Sequence, residues 1–280
     1  MHKNQSSEGQ GIGSASNAGP WDSGSSDEFF KYYEKQSQSP AALEGFKRTT
    51  DMLLRVAAQA GRQGPLDVLD IGCGAGAQAK YWQERGHRYS GIDINRPLIE
   101  LAQARALGEG LGAEFHVGSA TELPFDDGSR DVCLLPFILE HVAAWERCID
   151  EAVRVLRPGG VIYLATTSWL CPVQDEFNLP AYAWYPGLLK RHFERRAVTD
   201  RPQWVNHAKY PAVNWFSVYG LGNYLRQRRF SVLDRFDLID AEGRGGLART
   251  AIAIIRAAPP LRLLGHVLTP YSMVVGQKPA

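Results

Sequence analysis

From residue 67 onward, short apolar runs alternate with longer stretches in which apolar positions recur every three or four residues. The runs at 67–71, 89–94, 114–117, 131–136 and 161–166 are rich in Val, Ile and Leu, as strands covered on both faces are. Between them, 77–85, 96–107 and 145–155 carry helical spacing. This alternation predicts an α/β domain: a mostly parallel sheet with helices on both faces, joined by right-handed crossovers.

The flanks differ. Residues 1–26 are rich in Gly, Ser, Asn and Gln with almost no apolar content, too little to offset the entropy of ordering, so a disordered tail is expected and the folded unit is placed at 27–280. Phe29, Phe30, Tyr32 and Tyr33 then open a helical pattern that continues over 40–60 through Leu43, Phe46, Leu53, Leu54 and Val56, closed by Gly61 and Gly64-Pro65. After residue 166 the rhythm breaks: 168–217 holds prolines, aromatics and basic residues without a clear strand or long helix, and reads as an insertion after the fifth strand. Regularity resumes with a helix at 218–229, a strand at 231–238, helical material over 247–268 interrupted at Pro259-Pro260, and a last strand at 272–277.

With 44% hydrophobic and 22% charged residues among 280, the chain has the composition of a globular protein with one sizeable core. Lys plus Arg number 31 against 30 Asp plus Glu, so the overall balance gives no reason to propose nucleic acid or a membrane surface as the main partner, local patches aside. Cys73, Cys133, Cys148 and Cys171 are widely spaced and form no C-x-x-C pair, against both a zinc site and a disulfide framework. The N-terminus has no apolar stretch that could serve as a signal-peptide core, no segment approaches the length of a spanning helix, and a cytoplasmic protein is expected.

The strongest chemical signal is Val68-Leu69-Asp70-Ile71-Gly72-Cys73-Gly74-Ala75-Gly76, a buried strand running into a glycine turn that should open a helix. Such a turn lets backbone approach a ligand and offers free N–H groups. About twenty residues on, Asp93 stands at the tip of the second strand, where it can accept ribose hydroxyls. Gly72-x-Gly74-x-x-Ala77 also satisfies a dinucleotide fingerprint, which keeps a nicotinamide-dependent oxidoreductase as an alternative. Asp70 discriminates, because a carboxylate before the first glycine repels a pyrophosphate and suits the ammonium and sulfonium of S-adenosylmethionine.

Asp70-x-Gly72-x-Gly74-x-Gly76, Asp93, 118–125 (GSATELPF), Asp131-Val132, Glu140-His141-Val142 and 154–160 (RVLRPGG), taken in order, resemble class I S-adenosylmethionine-dependent methyltransferases of the ubiquinone-biosynthesis-like, type 11 group, over about residues 65–167. The resemblance implies a Rossmann-like sheet of seven strands with the last antiparallel beside 231–238. It also implies that Asp70 and the turn of Gly72, Cys73 and Gly74 hold the methionine moiety, Asp93 with Ile94 the ribose, and Ser119 with Ala120 the adenine edge. The backbone near Leu135 and Pro136 lines the methyl side. Ser119 stands where an Asp is frequent, and Pro136 where a small non-proline residue is usual.

His141 follows the fourth strand and is a candidate base, with capping or packing as the competing role. The 157–160 turn (RPGG) is expected to reverse the chain before the fifth strand. The 168–217 insertion carries Trp169, Trp184, Trp204 and Trp215 and a basic run of Lys190, Arg191, His192, Arg195 and Arg196. Stacking and anion binding make Trp184, Trp215 and Arg191 candidate substrate contacts, with the insertion covering the site; a subdomain core with a solvated basic face is the other reading. The expected reaction is O-methylation of a small-molecule or glycan-linked substrate without a metal, and a non-catalytic S-adenosylmethionine-binding protein is a further alternative. Residues 261–279 are similar to the ends of bacterial methyltransferases associated with surface-polysaccharide synthesis.

Overall fold

The structure, a computed structural model, describes residues 33, 35–173, 177–204, 212, 214–241 and 244–280. The expected tail at 1–26, with Phe29, Phe30 and Tyr32, lies outside the described residues. Seven strands form one sheet: β1 (Asp67–Ile71), β2 (Arg88–Asp93), β3 (Glu114–Val117), β4 (Arg130–Pro136), β5 (Leu156–Thr167), β6 (Ser231–Asp234) and β7 (Tyr271–Gln277), in the order β3-β2-β1-β4-β5-β7-β6. The pairs among β1 to β5 are parallel. The last strand, β7, lies between β5 and β6 and is antiparallel to both.

The helices are α1 (Pro40–Gln59), α2 (Ala79–Gln83), α3 (Arg96–Gly108), α4 (Trp145–Val155), α5 (Gly187–Thr199), α6 (Val218–Gln227), α7 (Arg235–Leu238), α8 (Gly246–Ala257) and α9 (Pro259–Val267). Strand alternation sends Val68, Val132 and Leu134 to one face, where Leu53, Trp82 and Ile99 of α1 to α3 cover them. Leu69, Ile71 and Leu135 point the other way, onto Ile149 and Ala152 of α4 and Leu221 and Leu225 of α6. Local chemistry sets the starts: Ser39 caps α1 ahead of Pro40, and Asn95 caps α3 by accepting from Leu98 N–H at 3.1 Å.

Several expected boundaries move. The strand expected at 231–238 stops at Asp234, because Asp234 and Asp237 form a reciprocal capping box that starts α7. The helix expected at 77–85 is shortened to α2, since Gly76 at φ 69° delays the first helical turn. The 157–160 segment is no separate reversal: α4 passes directly into β5 at Leu156, with Gly159 absorbing a positive φ of 73° within the strand. The insertion does contain a long helix, α5, which packs Phe193 and Ala197 against Phe177 and Tyr182 in a separate aromatic core. The sequence hid it because arginines crowd its other face.

An ionic lattice ties the N-terminal ends of the strands together. Arg157 Nη1 donates to Asp67 Oδ2 at 2.8 Å and Asp131 Oδ2 at 2.6 Å, while Arg62 Nη1 reaches Asp131 Oδ1 at 3.0 Å. Asp131 Oδ2 also accepts from Asp67 N–H at 2.9 Å. Hydrogen bonds from Arg88 and Arg157 outweigh burial and hold the Asp67 carboxyl at about 2. Asp131→Ala would remove an acceptor shared by three donors at the N-terminal ends of the central strands, and the expected cost is about 2–4 kcal/mol in a thermal or denaturant melt. Ligand binding at the opposite ends of the strands should be unaffected.

Candidate functional site

β1 and β2 deliver their carboxylates to the same place. Asp70, one residue before the end of β1, is 1% exposed, and its Oδ2 accepts from Tyr89 Oη at 2.5 Å and Gln78 Nε2 at 3.3 Å. Its Oδ1 is buried with no hydrogen-bond partner. Burial, augmented by the nearby Asp93 charge, pushes the carboxyl up to about 7. A buried acceptor of this kind costs free energy unless something arrives to pair with it.

The turn over Asp70 is built from glycine for two reasons. Gly72 and Gly74 adopt φ of 77° and 52°, and a Cβ at either would lie 2.5 Å from the side chain of Ile138 or Tyr33 respectively. Gly72 and Cys73 N–H groups both donate to Ile92 O, at 2.8 and 3.1 Å, and Gly74 N–H donates to Asp93 Oδ2 at 2.9 Å. Asp93 Oδ1 accepts from Asn95 N–H at 2.8 Å. Burial raises the Asp93 carboxyl against these backbone hydrogen bonds, and burial raises the Cys73 thiol well above its ordinary value.

The remaining sequence candidates take varied positions. Ile94 is exposed beyond the tip of β2. Ser119 Oγ lies 2.9 Å from Thr121 Oγ1 and accepts from Thr121 N–H at 3.2 Å, forming a turn after β3, and Ala120 is buried beneath it. Leu135 is wholly in the core, so only its main chain can face a ligand, and Pro136 ends β4 against Ala165. His141 closes a 3-10 turn (Leu139–His141) as an exposed residue, whereas Glu140 is fully buried and its Oε2 accepts from Thr166 Oγ1 at 2.7 Å. Trp184 is 52% exposed and its Nε1 donates to Trp169 O at 2.6 Å, at the start of the insertion. Trp215 packs edge-on to Tyr182 with the Lys190 ammonium 5.5 Å from its ring centre. Arg191 is on the exposed side of α5, apart from that aromatic core.

Sequence reasoning missed the groups that lock the rim. Phe137, directly after β4, holds a left-handed φ of 54° while its N–H donates to Ala165 O at 2.7 Å. A bulky residue in this conformation marks a site that the surroundings over-determine. Asn214 Nδ2 donates to Leu139 O at 2.9 Å and Val142 O at 2.7 Å, and Asn214 O accepts from Thr167 Oγ1 at 3.2 Å, fastening the end of the insertion to both strands. The polar run Thr166-Thr167-Ser168 ending an apolar strand was the readable signal; Asn214 had none.

A cationic ligand with a hydroxylated ring fits what is present. The unpaired Asp70 Oδ1 suits an ammonium, and the Asp93 oxygens each have lone pairs left for hydroxyls.

Comparison with known proteins agrees. A family model described as "Methyltransferase domain" matches residues 69–164. An uncharacterized methyltransferase of Mycolicibacterium gilvum is 39% identical over 107 residues, 38% of this chain and 41% of that protein. A malonyl-[acyl-carrier protein] O-methyltransferase of Serratia marcescens is 29% identical over 99 residues, 35% of this chain and 37% of that protein. The matched region thus spans about two-fifths of the length of these curated relatives. The fold is that of an S-adenosylmethionine dependent methyltransferase from Mesorhizobium loti, at a TM-score of 0.52 and 17% identity, covering 81% of this chain and 98% of that one. With the motif order and the sheet topology, these likenesses make residues 69–164 a class I, S-adenosylmethionine-dependent methyltransferase domain of the type 11 group.

Proposed function

We propose that the whole chain is a cytoplasmic enzyme that methylates a hydroxyl of a small-molecule or glycan-linked acceptor. The unpaired, buried Oδ1 of Asp70 beneath the glycine turn carries this reading. It is a receptor for a positive charge, and it disfavours the pyrophosphate of a nicotinamide cofactor. The O-methyltransferase likeness in Serratia marcescens supports oxygen as the acceptor atom.

The bound donor supplies a methyl group already activated on a sulfonium, which leaves positioning and exclusion of water to the protein. Asp70 Oδ1 takes the ammonium, with the Gly72, Cys73 and Gly74 backbone beside it. Asp93, next to Ile94, accepts the ribose hydroxyls. Ser119 and Ala120 border the adenine, and the main chain of Leu135 and Pro136 lines the methyl side. His141 is the candidate to accept the proton of the acceptor hydroxyl. The 168–217 segment, attached through the Ser168–Phe216 bridge and Asn214, covers the acceptor, with Trp184 at its edge. Trp215 and Arg191 contribute less directly, one within the aromatic core of that segment and the other on its outer face.

The Asp70 reading makes stability and affinity move in opposite directions. In the ligand-free protein the folded carboxyl sits at about 7, above its unfolded value of about 3.9, so its effect on stability is harmless at low pH and unfavourable as pH rises towards and past 7. Asp70→Asn should therefore raise the melting temperature at pH 8 and flatten its fall between pH 5 and 8. Cation binding needs the ionised form, so calorimetry should find donor affinity in the native protein rising with pH to about 7 and then levelling. Asp70→Asn should lower that affinity by about tenfold or more at pH 8 and remove the pH dependence. Unchanged affinity would sink the reading.

The acceptor side is tested by turnover, followed as adenosylhomocysteine release across hydroxylated small molecules and sugars. Trp184→Ala should lower kcat/KM for the acceptor by about tenfold with donor affinity within about twofold of native. Equal losses in both would assign Trp184 to scaffolding.

A further inference from the structure

Arg235 is a cation whose gripping edge has no acid to hold. It opens α7 directly after β6, and its Nε and Nη2 are closed off from solvent with no hydrogen-bond partner among the described residues. These two nitrogens form one edge of the guanidinium, the fork that takes both oxygens of an oxyanion. Elsewhere in the chain the same edge is filled: Arg88 Nε and Nη2 donate to the Asp67 carboxylate at 2.6 and 2.9 Å, and Arg154 Nε and Nη2 to that of Glu151 at 2.8 Å each. The acids beside Arg235 in sequence are committed to other groups, Asp234 to Arg262 and His266, and Asp237 to Arg262 and the cap of α7. A guanidinium stays charged at every working pH, so it cannot escape the cost of an unpaired buried edge by losing a proton. Its Cζ lies over the Tyr271 ring, 4.4 Å from the centre, and that π face answers the charge without accepting a hydrogen bond from either nitrogen.

β6 runs parallel to β5, since both are antiparallel to β7, so Arg235 stands at the same ends of the strands as the glycine turn. Tyr271 pairs with Thr167 at the end of β5, and its ring meets that of Phe137, directly after β4, edge to face at 5.9 Å. Phe137, Tyr271 and Arg235 thus form a row across the strand ends that starts beside the main chain of Pro136, with both rings half-exposed. The Arg235 charge is felt in β5 as well, where it opposes the rise that burial imposes on the Tyr163 hydroxyl. Neighbouring strands lie about 4.8 Å apart, and β7 is two places from β4 and three from β1. The donor's own carboxylate, which shares a carbon with the ammonium placed on Asp70, is therefore out of reach of the fork. An acceptor lying along the two rings is within reach.

We propose that Arg235 binds a carboxylate or phosphate of the acceptor, about 10 Å from the hydroxyl that receives the methyl group. The inference rests on the methyltransferase reading of the site and narrows its acceptor to an anionic one. Arg235 is half-buried rather than sealed in, and rotation about its long stem presents the fork to the row of rings.

Calorimetry on the full chain loaded with adenosylhomocysteine tests this with a para-hydroxylated biphenyl that carries a carboxylate, a phosphonate or a neutral carboxamide at its far end. At least one anion should bind about tenfold or more tighter than the carboxamide, and the tighter of the two identifies the group. Arg235→Lys keeps the charge and the stem but loses the fork. It should remove most of that preference while adenosylhomocysteine affinity stays within about twofold of native. Arg235→Met removes an unpaired buried charge, so without a probe it should melt no lower than the native protein. Equal binding of the charged and neutral probes, an undiminished preference in Arg235→Lys, or a fall of more than about 3 °C for Arg235→Met would each overturn the proposal. Failure of the native protein to bind adenosylhomocysteine would instead overturn the reading beneath it, so the two failures are told apart in the same titrations.

Discussion

A carboxylate sealed under a turn made of glycines is the constraint around which the rest is arranged. Burying Asp70 is tolerable because Tyr89 and Gln78 satisfy one oxygen, and both lie where β2 and the start of α2 must run for the sheet to close. The turn above it can pack against Ile138 and Tyr33 only because Gly72 and Gly74 lack a Cβ, and it is held down by Asp93 from the neighbouring strand. The second oxygen is left with an unmet demand for a donor, and the fold stores in it a preference for positive charge.

That part of the molecule was legible from residues alone, since every element of it is local or has a fixed offset: strand, glycines, and a carboxylate one strand later. The parallel sheet was equally readable, because doubly covered strands have no polar face to confuse with helix. What escaped was decided by distant partners. Ser231 to Asp234 and the α7 residues after them share a β-like composition, and only the Asp234 and Asp237 capping box divides them. α5 was hidden because Phe193 and Ala197 pair with Phe177 and Tyr182, which lie ten or more residues upstream. Whether Glu140 or His141 turns inward is set by Thr166 on another strand, a matter no spacing within the Glu140-His141 pair could decide.

The same dependence on distant partners shapes the chain after β5. The 168–217 segment has its own aromatic core and meets the rest of the chain at its ends, through the Ser168–Phe216 bridge and the Asn214 clamp.

The ionic lattice of Arg62, Arg157, Asp67 and Asp131 has a consequence for how such a chain can diverge. It fastens the strands at the ends remote from the glycine turn, so this contribution to the sheet's stability is spatially separate from the turn and from the 168–217 segment. Substitutions at well-separated positions act nearly independently. Descendants of this chain can therefore exchange the 168–217 segment for another while drawing on an undiminished reserve of mutational tolerance at the N-terminal ends of the strands.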